Sequence, residues 1–208
     1  MPEPSSVADV ASGAVGDPDV ELLDALRVGD DAAFATLVGR YHMRMLRLAE
    51  SFVPTRAVAE EVVQDTWLGV VKGIHRFEGR SSVKTWLFRI LVNRAKATGM
   101  REPRNAALDD GDGLDGRFDA GGHWTEPPEP WTSIDSRLDA SEIARRVKEC
   151  LPKLPDAQRQ VLILRDIEGA DSAEVCDLLK ISATNQRVLL HRARSHVRVM
   201  LELELGRG

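Results

Sequence analysis

The chain has 208 residues, with 28 Lys and Arg against 33 Asp and Glu for a formal net charge of −5, a length that suits one or two domains. Its hydrophobic fraction of 43% is ordinary for a globular chain, and no apolar run approaches the roughly 18 to 20 residues of a membrane span. The opening "MPEPSSVADVASGAVGDPD" has neither the basic start nor the apolar core of a secretory signal; Cys150 and Cys176 fit no metal spacing and suit a reducing compartment.

Net charge hides a segmental pattern. Residues 1–35 sum to −7, 36–104 to +7, 105–142 to −8 and 143–208 to +3, so charge is laid out in blocks with separate jobs. Helices are expected throughout the first basic block. Asp17 is placed to cap a helix that begins at Pro18 and stops at Gly29. From Asp31 to Val53 the residues Phe34, Leu37, Val38, Tyr41, Met45, Leu48 and Phe52 recur at threes and fours, and Pro54 closes the run. Thr55 caps a third helix with an inner stripe of Ala59, Val62, Val63, Thr66, Trp67, Val70 and Ile74; its other face carries Glu61, Gln64, Asp65 and Leu68.

A fourth helix starts near Ser82, after "FEGRSS". Val83, Leu87, Ile90 and Leu91 form its apolar stripe. Ser82, Trp86, Arg89, Asn93 and Lys96 share the opposite side. Such a face suits DNA, with Arg89 and Lys96 on phosphates, Asn93 on a base edge and Trp86 as a stacking surface. The other reading makes Trp86 core and the cations a solvated face. Residues 101–135 are rich in Gly, Pro and Asp, lack any 3.6 period, and read as a linker with little regular structure between two helical domains.

In the last block, "IARRVKECLPKLP" gives a helix with Ile143, Val147, Cys150 and Leu151 inward, and "DAQRQVLILRDIEG" gives another, ended by Gly169. "DSAEVCDLL" is a short helix capped by Asp171 or Ser172, "KIS" a tight connection, and Ser182 caps the last helix. This is the helix-turn-helix pattern. Residues 181–200 hold four Arg, two His and no acid; Leu190, Ala193, Val197 and Met200 face inward, while Arg187, His191, Arg194 and Arg198 form a stripe suited to a major groove. A solvated helix face would ordinarily mix both signs.

The pairing of "AEEVVQDTWLGVVKGIHRFEGRSSVKTWLFRILVNRAK" with "LPKLPDAQRQVLILRDIEGADSAEVCDLLKISATNQRVLLHRARSHVR" resembles the bacterial extracytoplasmic-function sigma factors. The resemblance implies an all-α fold: a disordered tail over 1–17, sigma region two over 18–100, a flexible acidic linker over 101–137 and region four over 138–203. It implies that Glu61, Gln64, Asp65 and Leu68 dock on the β′ clamp coiled coil of core RNA polymerase, with region four toward the β flap. Phe77, Gly79, Arg80, Ser81, Trp86, Arg89, Asn93 and Lys96 then fall to the minus-10 element, whose melting needs no catalytic residue here. Arg187, Val188, His191 and Arg192 would face the minus-35 element, and Arg194 and Arg198 would hold its backbone. One departure stands out: where the family often has a buried Val and a Ser-Arg pair, this chain has Gln186, Val188 and Leu189, so base preference cannot be copied from relatives. Val188 suits apolar contact with a thymine methyl.

The linker acids Asp109, Asp110, Asp112, Asp115 and Asp119 imitate nucleic acid in the polymerase channels on one reading and merely solubilise a tether on the other. Trp124 and Trp131 suggest docking. The resemblance further implies control by an anti-sigma factor and action in the cytoplasm. No cofactor, metal, small-molecule substrate or membrane insertion is expected, because His42, His75, His123, His191 and His196 lie scattered without triad or metal spacing. A free helix-turn-helix repressor would account for the last helices but leave "SSVKTWLFRILVNRAK" unexplained.

Overall fold

The computed structural model describes residues 17, 19–99 and 140–205, and every regular element among them is helical. Four helices precede residue 100: α1 (Asp19–Arg27), α2 (Asp31–Ala49), α3 (Arg56–Gly73) and α4 (Val83–Gly99). Four follow: α5 (Ala140–Cys150), α6 (Asp156–Leu162), α7 (Ser172–Leu179) and α8 (Ala183–Leu205). The tail up to residue 16 and the linker, with Asp109, Asp110, Asp112, Asp115, Asp119, Trp124 and Trp131, lie outside the described residues.

Caps placed by short polar side chains set the helix starts. Asp30 accepts from the Ala32 and Ala33 amides at α2, and Thr55 accepts from Val58 at α3. Asp17 serves two helices: one carboxylate oxygen takes the Asp19 amide of α1 at 3.0 Å, the other the Val83 amide of α4 at 2.8 Å. The helical run expected to reach Val53 stops at Ala49, because residues 50–55 turn sharply ahead of Pro54. Gly99 ends α4 against that turn, where a Cβ would stand 2.6 Å from the Phe52 carbonyl.

Burial follows the apolar periods. The whole inner stripe of α3 is buried, with Trp67 edge-on to Phe34 at 5.7 Å. Val83, Leu87 and Leu91 of α4 are buried as the spacing predicts, joined by Phe88 and Val92. Asp19 is a buried acid, held by the Arg40 guanidinium and the Tyr41 hydroxyl. Burial is the first cause that raises the Tyr41 phenol above its ordinary value.

The two halves were expected to be independent bodies on a tether. Instead their cores merge into one cluster. Arg159 of α6 donates to the Glu50 carbonyl at 3.1 Å and Gln160 to the Ser51 carbonyl at 2.9 Å, so α6 closes the open C-terminal end of α2. Between α6 and α7 the chain makes a π-helical turn, Ile163–Ile167, with the Glu168 amide bonded to the Ile163 carbonyl at 2.8 Å. That turn carries Glu168 back into the seam between the halves.

Candidate polymerase and promoter interfaces

Three helical faces carry the residues singled out above. On α3, Glu61, Gln64, Asp65 and Leu68 all stand in solvent, Leu68 at 57% exposure. Val71, one turn on and 46% exposed, extends the apolar spot. Its i+3 spacing from Leu68 was the available signal. An exposed apolar pair rimmed by acids and an amide suits a basic helical partner.

The minus-10 candidates divide. Phe77 is core, 7% exposed, with its ring 5.2 Å from Trp86; a large aromatic following a buried Ile74 is drawn inward, which corrects its placement as a DNA-facing residue. Trp86 is half-buried against it. Gly79 sits at φ +71, so the turn itself demands glycine there. Arg80 is exposed and pairs with neighbouring Glu78 at 2.5 Å. Ser81 is half-buried, and Ser82 caps α4 through the Thr85 amide at 3.1 Å. The turn also hangs from α1, since Arg27 donates to the Phe77 carbonyl at 2.5 Å.

On α4 both Asn93 and Arg89 are exposed. Arg89 reaches Asp177 of α7 at 2.6 Å. Lys96 donates to the carbonyls of Leu178 and Leu179, at 3.4 and 2.8 Å, where α7 ends. Burial, and then the Lys180 ammonium, push the Lys96 ammonium below its ordinary value. Lys180, with Arg89 beside it, holds the Asp177 carboxyl below the ordinary carboxylate range. Two cations of the face expected to be open to DNA, Arg89 and Lys96, are therefore engaged by α7, while Asn93 is exposed.

Region four has the expected helix-turn-helix. Asp171 and Glu174 form a reciprocal capping box on α7, Lys180 makes the turn in the left-handed conformation at φ 60, and Ser182 caps α8 through the Asn185 amide at 3.1 Å. Leu190, Ala193 and Val197 are buried. Arg187 is exposed, with Nε 3.4 Å from the Ala183 carbonyl; Val188, Arg192 and Arg198 are half-buried. His191 is half-buried too, and burial, followed by the Arg194 charge, depresses its imidazole below the ordinary value. At neutral pH it is a hydrogen-bonding group rather than a cation.

Arg194 is a correction. Two of its guanidinium nitrogens grip Asp166, at 2.8 and 2.7 Å, and that hydrogen bonding raises its guanidinium further. The π-helical turn brings Asp166 to it across 28 residues of sequence, a distance no helical spacing reveals. Gln186, the departure from the family pattern, is 2% exposed and accepts the Ser172 hydroxyl at 2.9 Å. It joins the recognition helix to the first turn of α7. Among the described residues no helix is long and apolar enough to cross a membrane.

With these faces in place, comparison with known proteins is direct. Residues 37–98 match the profile of Sigma-70 region 2 and residues 144–197 that of Sigma-70, region 4. The two matches cover more than half the chain and define a sigma-70-type initiation factor. The ECF RNA polymerase sigma-E factor of Haemophilus influenzae is 29% identical over 184 residues, 86% of this chain and 93% of the relative. That of Escherichia coli strain K12 is 28% identical over 180 residues, 86% and 92%. The chain belongs to the extracytoplasmic-function sigma factors, the non-catalytic promoter-specificity subunits of RNA polymerase. Two solved structures share the fold: CnrH in complex with the cytosolic domain of CnrY (TM-score 0.55, 24% identity, 90% of this chain and 99% of that one), and the sigma factor RpoE with the anti-sigma factor NepR from Bartonella quintana (0.53, 24%, 81% and 96%).

Proposed function

We propose that this sigma factor docks on the β′ clamp of core polymerase through Glu61, Gln64, Asp65 and Leu68, with Val71 widening the apolar contact. Region two spans about residues 18–100 and region four about 138–203, the latter meeting the β flap. Arg80, Trp86, Arg89, Asn93 and Lys96 hold the minus-10 strand, and the partly exposed Trp86 offers a stacking surface that offsets part of the few kcal/mol needed to unstack a base. Arg187, Val188, His191 and Arg192 read the minus-35 groove, with Arg198 on its backbone. An anti-sigma factor, as in the RpoE and NepR pair, restrains it in the cytoplasm.

The observation that carries this reading is the α3 face: an acid, an amide, a second acid and a leucine, all exposed in a row, beside the helix that carries Arg89, Asn93 and Lys96. Core-polymerase pull-down followed by run-off transcription tests it. Wild type is expected to bind core and initiate at a cognate promoter; Glu61→Lys with Leu68→Ala is expected to lose both. A double variant that still binds core and initiates like wild type would refute the docking assignment.

A further inference from the structure

A cavity of about 190 Å³ lies beside the C-terminal half of α2, faced from the other side by α5, the turn at Leu151–Lys153 and α6. None of the residues assigned above to polymerase or promoter lines it. Its walls are apolar: Leu46, Leu151 and Ile163 are buried, Pro152 adds a ring, and Met43 is 57% exposed. An unbranched thioether such as Met43 adapts its shape to an apolar guest.

The charged groups of the lining are mostly positive. Arg47, Arg56, Lys148 and Arg159 stand against the single acid Glu50, four charges against one for a balance of +3. Acids further out offset part of this. Arg56 meets Glu50 at 3.3 Å and Glu60 at 3.0 Å, and Arg159 meets Asp156 at 2.7 Å. Arg47 faces Glu168 at 3.7 Å, beyond hydrogen-bond reach. Lys148 is exposed and has no ion-pair partner among the described residues. Arg159 is the anchored cation: its side chain is 10% exposed and is held by the Glu50 carbonyl and the Asp156 carboxylate.

Size and chemistry together narrow the guest. A water takes up about 30 Å³ of liquid, so the cavity suits a body of roughly six to eight heavy atoms. A neutral guest of that size would gain only the apolar walls, and an inorganic anion only the cations. A short hydrocarbon with a carboxylate at one end gains both, because guanidinium and carboxylate match in geometry while the hydrocarbon takes wall area from water.

We infer that this cavity is a binding site for a small amphipathic monocarboxylate, its tail against Met43, Leu46 and Ile163 and its head among Lys148 and the arginines. The ligand would touch α2 on one side and residues 151–163 on the other, so its binding stabilises the folded chain. The inference does not depend on the polymerase and promoter assignments, and its test uses neither partner.

Hexanoate, which matches the size, is the probe, titrated at constant ionic strength into the full chain carrying methyl-labelled methionine. Hexanol supplies the tail without the charge, and acetate the charge without the tail. Hexanoate is expected to saturate with a Kd of about 1 mM, and hexanol and acetate to bind at least about tenfold more weakly. The Met43 methyl resonance is expected to shift and that of Met200, on α8, to stay. At about ten times Kd, Tm is expected to rise by about 3 to 6 °C. Lys148→Glu, at an exposed helix position, is expected to weaken hexanoate about tenfold and leave hexanol unchanged. Met43→Trp, which fills the cavity from an exposed position, is expected to abolish the Tm rise. Absence of saturation at about twenty times that Kd, or a Met43 resonance that stays still, overturns the site. Acetate as tight as hexanoate overturns the role of the walls, and unchanged affinity in Lys148→Glu overturns that of the cations.

Discussion

The two helices expected from sequence to face DNA begin alike in sequence and end differently in the structure. On α4 the cations Arg89 and Lys96 are engaged by region four, whereas on α8 Arg187 points into solvent. The difference comes from which acids the fold brings near: Asp177 of α7 takes Arg89, Glu174 of α7 takes Thr85, and Asp166 of the π-helical turn takes Arg194 of α8. A positive face is thus defined by its long-range neighbours as much as by its own spacing. Arg89 and Lys96 of α4 meet acceptors on α7, and Arg194 of α8 meets Asp166.

The largest expected break in that asymmetry is Glu168→Ala. Removing a buried carboxylate that faces two arginines, each still partly hydrated, is expected to cost about 2 to 3 kcal/mol of the packing between the two halves. Calorimetry should then resolve two melting transitions where wild type shows one. Next comes Arg187→Ala, expected to lose roughly 1 to 3 kcal/mol on one minus-35 base pair and to relax the preference there. Arg198→Ala instead weakens matched and scrambled minus-35 DNA alike and lowers the salt slope by about one. Equal losses on both DNAs for the two variants would erase this division.

Gln186→Ala is expected to destabilise region four by about 1 kcal/mol, since it strands the Ser172 hydroxyl in a buried joint; urea denaturation measures it. The smallest effect is one of pH. Folded region four keeps His191 neutral, with its imidazole depressed below 6.5, while the unfolded chain takes up a proton near that value. Stability is therefore full above about pH 6.5 and declines as pH falls from there toward the folded value. A shallow loss of Tm between pH 7 and 5.5 that disappears in His191→Gln checks the sign.

Elements with strong local signals were legible in the sequence. The α3 stripe, Thr55, the Asp171 cap and the Ser182 turn all follow from spacing and capping chemistry within a few residues. What escaped was long-range. Asp17 was visible as a cap for α1 but not for α4, 66 residues on. Phe77 carried no mark that distinguished core from DNA face, and nothing local disclosed that Asp166 would take Arg194 or that Asp177 would take Arg89. Spacing tells which side chains share a face; the chain's return path tells what that face meets.

The bond from Ser172 to Gln186 couples two positions 14 residues apart. Replacing Gln186 by Val alone, or Ser172 by Ala alone, leaves one polar atom stranded, whereas both together restore an apolar joint. Chimaeras that graft the recognition helix of another sigma factor onto this chain must therefore import its first-helix residue as well, or they inherit a mismatch unrelated to the bases they were built to read.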